Sequence, residues 1–250
     1  MVSFAYMILF SGIMGFSIYL SLPVIFQKGR DARTTELLVA VAIGILVFLM
    51  ADVFSDVSPI LYSSGGYYGY GSSPYYDTVF IASLAVGFVA LYLFESRSKT
   101  ALNPKQHSLV IALGIGFQNL TEGLVFGSLG VAIGLTGATL VVLVGFTYQN
   151  VTEGFPIASP FLNRVEAKTS VLLGLFFVGG VPTVIGGAVG FFYSSTVFNL
   201  VFDGVAIGSI LYVILPMLKN LFKGLEGRSG RAVYLGVFIG FLIGSLVNLI

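Results

Sequence analysis

The chain has 250 residues, 56% of them hydrophobic and 9% charged, with a net charge of +1 and mean hydropathy +0.98. A soluble domain carries about 25% charged residues, so this composition excludes an ordinary water-soluble fold. The absence of cysteine excludes disulfides and thiolate metal sites.

Apolar runs of about twenty residues, long enough to cross a bilayer as helices, recur along the chain. They do not alternate as the shorter strands of a membrane barrel do. In chain order the pattern predicts helices over about 2–22, 35–56, 78–96, 107–129, 136–159, 170–192, 197–219 and 231–250. The expected fold is an all-α integral membrane protein, one polytopic domain over residues 1–250. Gln27–Thr34, Ser96–Gln106, Asn163–Lys168 and Lys219–Gly230 are the polar connectors. The weakest boundaries are 129–136 and 193–197, where the connectors are short and barely polar. The opening Met1–Phe10 lacks a basic segment and a small-residue cleavage site, so the first span is expected to be retained.

All 12 lysines and arginines fall in connectors between helices 1 and 2, 3 and 4, 5 and 6, and 7 and 8. Eight spans place those four connectors on one side, which the positive-inside rule makes cytoplasmic. Both termini are then extracellular, and the expected location is the cell membrane, multi-pass. The Gly/Ser/Tyr-rich loop Ser63–Tyr76 faces outward as a connector. Glu95, Glu166 and Glu226 fall at cytoplasmic helix ends beside cations and are expected to pair with them, and His107 opens helix 4 as an interfacial residue.

Two segments repeat. Phe117-Gln-Asn-Leu-Thr-Glu-Gly123 and Tyr148-Gln-Asn-Val-Thr-Glu-Gly154 share the pattern aromatic-Q-N-x-T-E-G inside antiparallel spans. Val41-Ala-Ile-Gly44 in helix 2 matches Val205-Ala-Ile-Gly208 in helix 7, which runs the opposite way. Similarity between helices of opposite direction is the mark of an inverted repeat. The same letters at Val131–Gly134 make this second match weak by itself. Glycines at four-residue spacing (Gly236, Gly240, Gly244; Gly186, Gly190; Gly204, Gly208) predict close helix packing. Packing within the chain is the simpler use of that spacing, and homodimerisation the alternative.

Gln118 and Glu122 lie one turn apart, as do Gln149 and Glu153, with Asn119 and Asn150 beside them. Side by side, the two polar faces meet near the bilayer midplane, since exposure to lipid would strand their polar groups. Two carboxylates and four amide oxygens suit hard or borderline divalent cations, and a cation relieves the repulsion between the glutamates. The bland alternative is an interhelical hydrogen-bond clamp with protonated glutamates. Asp52 and Asp56 in helix 2 and Asp203 in helix 7 form an acidic vestibule leading to the site. The expected metal ligands are therefore Gln118, Asn119, Glu122, Gln149, Asn150, Glu153, Asp52 and Asp203.

On these residues the chain resembles the ZIP family of divalent metal transporters, whose signature in helices 4 and 5 reads His-Asn-x-x-(Asp/Glu)-Gly and His-x-x-x-Glu-Gly. Asn119, Glu122, Gly123, Asn150, Glu153 and Gly154 match it; Gln118 and Gln149 stand where the family usually has histidine, and Thr121 and Thr152 where many members have proline. Val39–Pro59 looks like the family's helix 2. An acid that often follows a Tyr-Val pair in helix 7 is missing, because Tyr212-Val213 leads into Ile214-Leu215-Pro216, and no histidine-rich cytoplasmic loop is present. The resemblance implies a ZIP-like bundle of eight helices carrying zinc, iron, manganese, cobalt or cadmium as substrate, with no further cofactor. Loss of both histidines moves the site toward harder ions than zinc.

The alternatives are an intramembrane enzyme using the glutamates as acid and base, and a membrane protein that binds metal without transport. No HExxH, GxSxG or nucleophilic cysteine supports an enzyme. The expected partners are a divalent cation and the bilayer, not nucleic acid.

Overall fold

The computed structural model describes residues 2–25, 32–62, 74–97, 103–162, 168–193, 195–224 and 230–246. These fold into helices packed as one bundle. The first, α1, covers Phe4–Phe16 and continues through a 3-10 turn, Ser17–Ser21, into a short turn Leu22–Ile25. There follow α2 (Ala32–Tyr62), α3 (Pro74–Ser96), α4 (Pro104–Ile133), α5 (Gly137–Ala158), α6 (Thr169–Phe192), α7 (Thr196–Gly224) and α8 (Arg231–Ser245).

Six helices are long and apolar enough to cross a membrane: α1 with its extension, α2, α3, α4, α6 and α7. The fold is thus all-α and of multi-pass membrane type. The other two fall short of that measure for local reasons. The Gln-Asn-x-Thr-Glu patch dilutes the apolar character of the 22-residue α5, and α8 is described over only 15 helical residues. Exposed apolar side chains such as Leu9, Ile81, Val86, Phe177, Ile185 and Phe238 lie on the outside of the bundle, as a lipid environment requires.

Several boundaries differ from expectation. The first span is not one α-helix. Ser17 and Ser21 bond back to the carbonyls of Met14 and Ile18 at 2.6 and 2.8 Å, and Pro23 brings no N–H to continue the ladder, so the turn tightens. The Ser17 hydroxyl also lies 2.9 Å from the Thr147 carbonyl of α5, so its one proton is shared between the two carbonyls. α2 runs to Tyr62 rather than stopping near Asp56, because Val53, Val57 and Leu61 form a buried stripe with Phe80, Leu200 and Ile207. α4 begins at Pro104, fixed by a capping box in which Asn103 and Gln106 bond each other's main chain at 3.0 Å. Between α4 and α5 the chain turns through Gly134, whose φ of 71° suits glycine. Residues 63–73 of the tyrosine-rich loop, together with Glu166 and Glu226, lie outside the described residues, and Pro74–Tyr76 open α3. Glu95 takes a hydrogen bond from the Tyr212 hydroxyl on α7; Lys99, one of the cations beside it in the chain, lies outside the described residues.

The helices form two groups. α1, α4, α5 and α6 pack together, as do α2, α3, α7 and α8; α4 touches α7 and α2 touches α5 across the divide. α4 lies at the centre, with 72% of its apolar window buried against 22% for α3. Glycine lets backbones touch. The Val41 carbonyl of α2 rests on Gly240 of α8, and Gly44 on the Val237 carbonyl. The Val205 carbonyl of α7 rests on Gly87 of α3 in the same way, and Gly208 on the Leu84 carbonyl. Beside the first pair Phe48 meets Phe241 edge-on at 5.7 Å and 83°; beside the second Tyr212 meets Phe88 at 5.3 Å and 85°.

A side chain at these contacts drives helices apart. Gly240→Val is expected to cost about 1–3 kcal/mol, seen as a lowered unfolding temperature of the purified protein. Gly12→Ala, with nothing within 4 Å of the added carbon, is expected to leave that temperature unchanged or raise it.

Candidate metal centre

The paired segments of α4 and α5 face each other. Gln118, Asn119, Glu122, Gln149, Asn150 and Glu153 are all buried, with Asn119, Asn150 and Glu153 at 0% exposure and Glu122 at 6%. The hairpin at Gly134 sets the helices antiparallel. The Ser108 hydroxyl, 2.6 Å from the Ile157 carbonyl, pins the start of α4 to the end of α5.

The contacts between the two faces are reciprocal. Asn119 Nδ2 donates to Glu153 Oε2 at 2.8 Å, and Asn150 Nδ2 donates to Glu122 Oε2 at 3.1 Å. Each asparagine nitrogen has a second acceptor, the Gly179 carbonyl at 2.9 Å for Asn119 and the Phe146 carbonyl at 2.9 Å for Asn150. Gln118 Nε2 donates to Glu122 Oε1 at 3.3 Å. A carboxylate or carbonyl oxygen accepts only, so these partners fix which end of each amide is nitrogen.

The amide oxygens are then left over. Gln118 Oε1, Asn119 Oδ1, Gln149 Oε1 and Asn150 Oδ1 have no hydrogen-bond partner, nor does Glu153 Oε1. A buried polar atom without a partner costs about 1–3 kcal/mol, so a cluster of them needs an explanation. Protonating both glutamates supplies only two donors for these oxygens, which argues against a clamp as the whole story. A cation is one partner that carboxylate and amide oxygens can share. No lysine, arginine or histidine is buried among the described residues to offset the two glutamates. Among the same residues no three acidic or histidine side chains cluster closely enough to hold an ion by themselves. An ion held here would need the amide oxygens as ligands as well.

The vestibule acids converge on the same place. A cavity of ≈ 20 Å³ beside Glu122 is lined by Asp52, Asp56 and Asp203 together with Gln118 and Gln149. Its volume is about that of one water molecule or ion. Gln149 faces Asp52, and Thr121 faces Asp203. Every expected ligand therefore lies in the paired faces or in the cavity beside them. His107 lies in the first turns of α4, within electrostatic reach of Glu95. Both line a second cavity of ≈ 610 Å³, with Val39, Tyr212, Pro216, Met217 and Asn220, at the end of the bundle where Lys223 lies.

Some of the geometry was not foreseen. The Tyr148 hydroxyl donates to the Ile243 carbonyl of α8 at 2.8 Å, although the repeat marks Tyr148 only as an aromatic position. The role of the Gly179 carbonyl on α6 has no signal in the pattern at all.

No family model matches the chain, and no curated protein matches it.

The stranded oxygens make a thermodynamic prediction. A divalent cation at 100 times its dissociation constant is expected to stabilise the purified protein by about 2.7 kcal/mol, read as a rise in unfolding temperature. Glu153→Gln is expected to remove that rise. An equal rise in parent and variant places the cation elsewhere.

Proposed function

We propose that the chain carries a divalent metal cation across a membrane into the cytoplasm, through the site between α4 and α5. The observation that carries this reading is the pair of buried glutamates ringed by unpartnered amide oxygens. The chemistry is that of an oxygen-coordinated divalent ion, and the substrate class is zinc, iron, manganese, cobalt or cadmium.

The reading includes eight spans, with α5 and α8 crossing beside the six longer helices and both termini outside. The one-sided placement of the cationic connectors supports it. It also includes an inverted repeat relating α1–α3 to α6–α8 and α4 to α5. Four sets of contacts support that repeat. When VAIG of α2 is laid on VAIG of α7, and Gly87-Phe88 of α3 on Gly240-Phe241 of α8, the backbone contacts and ring pairs described above coincide residue for residue. In the other group Gly123 rests on the Thr183 carbonyl, while Gly154 meets the Ser21 side chain first and then the Ile18 carbonyl. Gly15 and Gly180 each rest on the other's carbonyl, as residues astride a two-fold axis would. The Asn–Glu bonds exchange under the same operation.

The two cavities support movement of the ion and not mere binding. Asp52, Val53, Asp56 and Asp203 line the small one; their counterparts in the repeat, Pro216, Met217, Asn220 and Val39, line the large one. Equivalent mouths thus stand in unequal states, one constricted and one open, as alternating access around a central site requires. A passive metal binder would make the same Asn–Glu bonds but has no use for paired, unequal mouths. Resemblance to ZIP transporters in residues 117–160 agrees with this reading and supplies the direction of transport.

Vesicles containing the purified chain test it. Uptake of at least one divalent cation is expected, with Glu122→Ala and Glu153→Ala each abolishing it; equal uptake by mutants and parent overturns the assignment. Replacing both Gln118 and Gln149 by histidine is expected to shift preference toward zinc, because imidazole suits zinc better than an amide oxygen. An unchanged selectivity profile removes the glutamines from the ligand set.

A further inference from the structure

The two mouths differ in chemistry as well as width. On the constricted side the Tyr148 hydroxyl crosses from α5 to the Ile243 carbonyl of α8 at 2.8 Å, joining the two helix groups. Alongside it Gln149 of α5 faces Asp52 of α2, and Thr121 of α4 faces Asp203 of α7. Each of these pairs also spans the divide between the groups.

The counterparts on the open side lack the means to do the same. Alignment of the two Q-N-x-T-E-G segments puts Phe117 where Tyr148 stands, and Phe117 has no hydroxyl. Pro216 replaces Asp52, and Val39 replaces Asp203; both line the open ≈ 610 Å³ cavity. Gln118 and Thr152, the equivalents of Gln149 and Thr121, therefore have apolar residues opposite them once that mouth closes. The Tyr148 fastening thus has no hydroxyl counterpart at Phe117, although Asn220 and His107 also line the open cavity.

We propose that Tyr148, backed by Asp52 and Asp203, is a one-sided latch that holds the vestibule mouth shut, so that the cation-free protein rests open toward the side of the cationic connectors. Opening of the latched mouth requires the Tyr148–Ile243 bond to break; Phe117 can form no such bond when the other mouth closes. The resting population is set by this difference. The inference rests on the alternating-access reading above, but its test reads conformation without transport.

The chain has no cysteine, so a single introduced thiol reports accessibility cleanly. Val53 and Met217 are equivalent positions, one lining each cavity. In the full-length, cation-free protein in detergent, Met217→Cys is expected to react faster than Val53→Cys with a small charged thiosulfonate. Adding Tyr148→Phe is expected to speed Val53→Cys roughly threefold to tenfold, the factor one lost hydrogen bond gives, and to slow Met217→Cys. Asp203→Val, which copies the counterpart Val39, is a second variant expected to act in the same direction should Tyr148→Phe fail to fold. Equal rates at the two thiols in the parent, or rates unmoved in a folded latch variant, overturn the proposal. Vesicle uptake separates the two ideas. A labelling shift without cation uptake keeps the latch and removes the transporter, whereas uptake with unmoved labelling does the reverse.

Discussion

An amide has two ends, and at the centre of this bundle only one end of each is used. The asparagine nitrogens are held by a glutamate and a main-chain carbonyl each. That arrangement leaves the oxygens of Asn119, Asn150, Gln118 and Gln149 turned toward no donor. The cavity beside Glu122 has room for about one water molecule, too few donors for the whole set. The penalty of about 1–3 kcal/mol per stranded group falls on the folded state, and a fold built only for stability would replace the set with leucine or phenylalanine. Retaining it makes sense where something positive enters. The repulsion between Glu122 and Glu153 points the same way, because a single divalent charge removes it at a stroke.

Such a site demands rigid walls, and the glycines provide them. Lipid gives helices little hydrophobic reason to associate, so contact depends on close fit. At Gly123 the α4 backbone lies against the Thr183 carbonyl of α6, and at Gly186 the α6 backbone lies against Leu120. These contacts flank the glutamate of α4 directly. Equivalent contacts hold α2 to α8 and α3 to α7. The close backbone contacts thus lie within each group of four helices, whereas the Tyr148 bond and the Asp52 and Asp203 pairs lie between the groups. The principal apolar core nonetheless draws on both groups, with Ile43 and Ile210 from one and Ile115 and Phe176 from the other.

Much of this was legible in the sequence because polar residues in membrane spans are rare enough to stand out. The duplicated Gln-Asn-x-Thr-Glu-Gly could be read as two facing helix surfaces, and the structure turns them toward each other. In the VAIG segments of α2 and α7, Val41 and Val205 meet glycines of α8 and α3. The correspondence between α3 and α8 was not visible, since their common features reduce to Gly87-Phe88 and Gly240-Phe241 in a chain with 32 glycines and 23 phenylalanines. Helix ends were misjudged where packing overrode polarity. Asp52, Asp56 and Pro59 suggested a stop, yet the Val53–Val57–Leu61 stripe carries α2 onward. The break in α1 depends on serine side chains bonding backward, a choice that apolar periodicity does not record. Tyr148 was hidden by being aromatic at an aromatic position; only the geometry shows that its hydroxyl has a partner and that Phe117 has none to offer.

The unequal mouths bear on direction in a limited way. Asp52, Asp56 and Asp203 attract cations to one side, where low-dielectric walls concentrate their field. Pro216, Met217 and Val39 on the other side do not. That second cavity carries both signs of charge, Glu36 and Glu95 with Lys223, so its field is less one-sided. Neither mouth changes the equilibrium across the membrane, because a fixed charge that lowers the energy of an ion on entry raises the work of returning it by the same amount. In a carrier of the proposed kind the fixed charges set rates alone. The ion gradient sets net flow, and a reversed gradient would drive the cation backward through the same site.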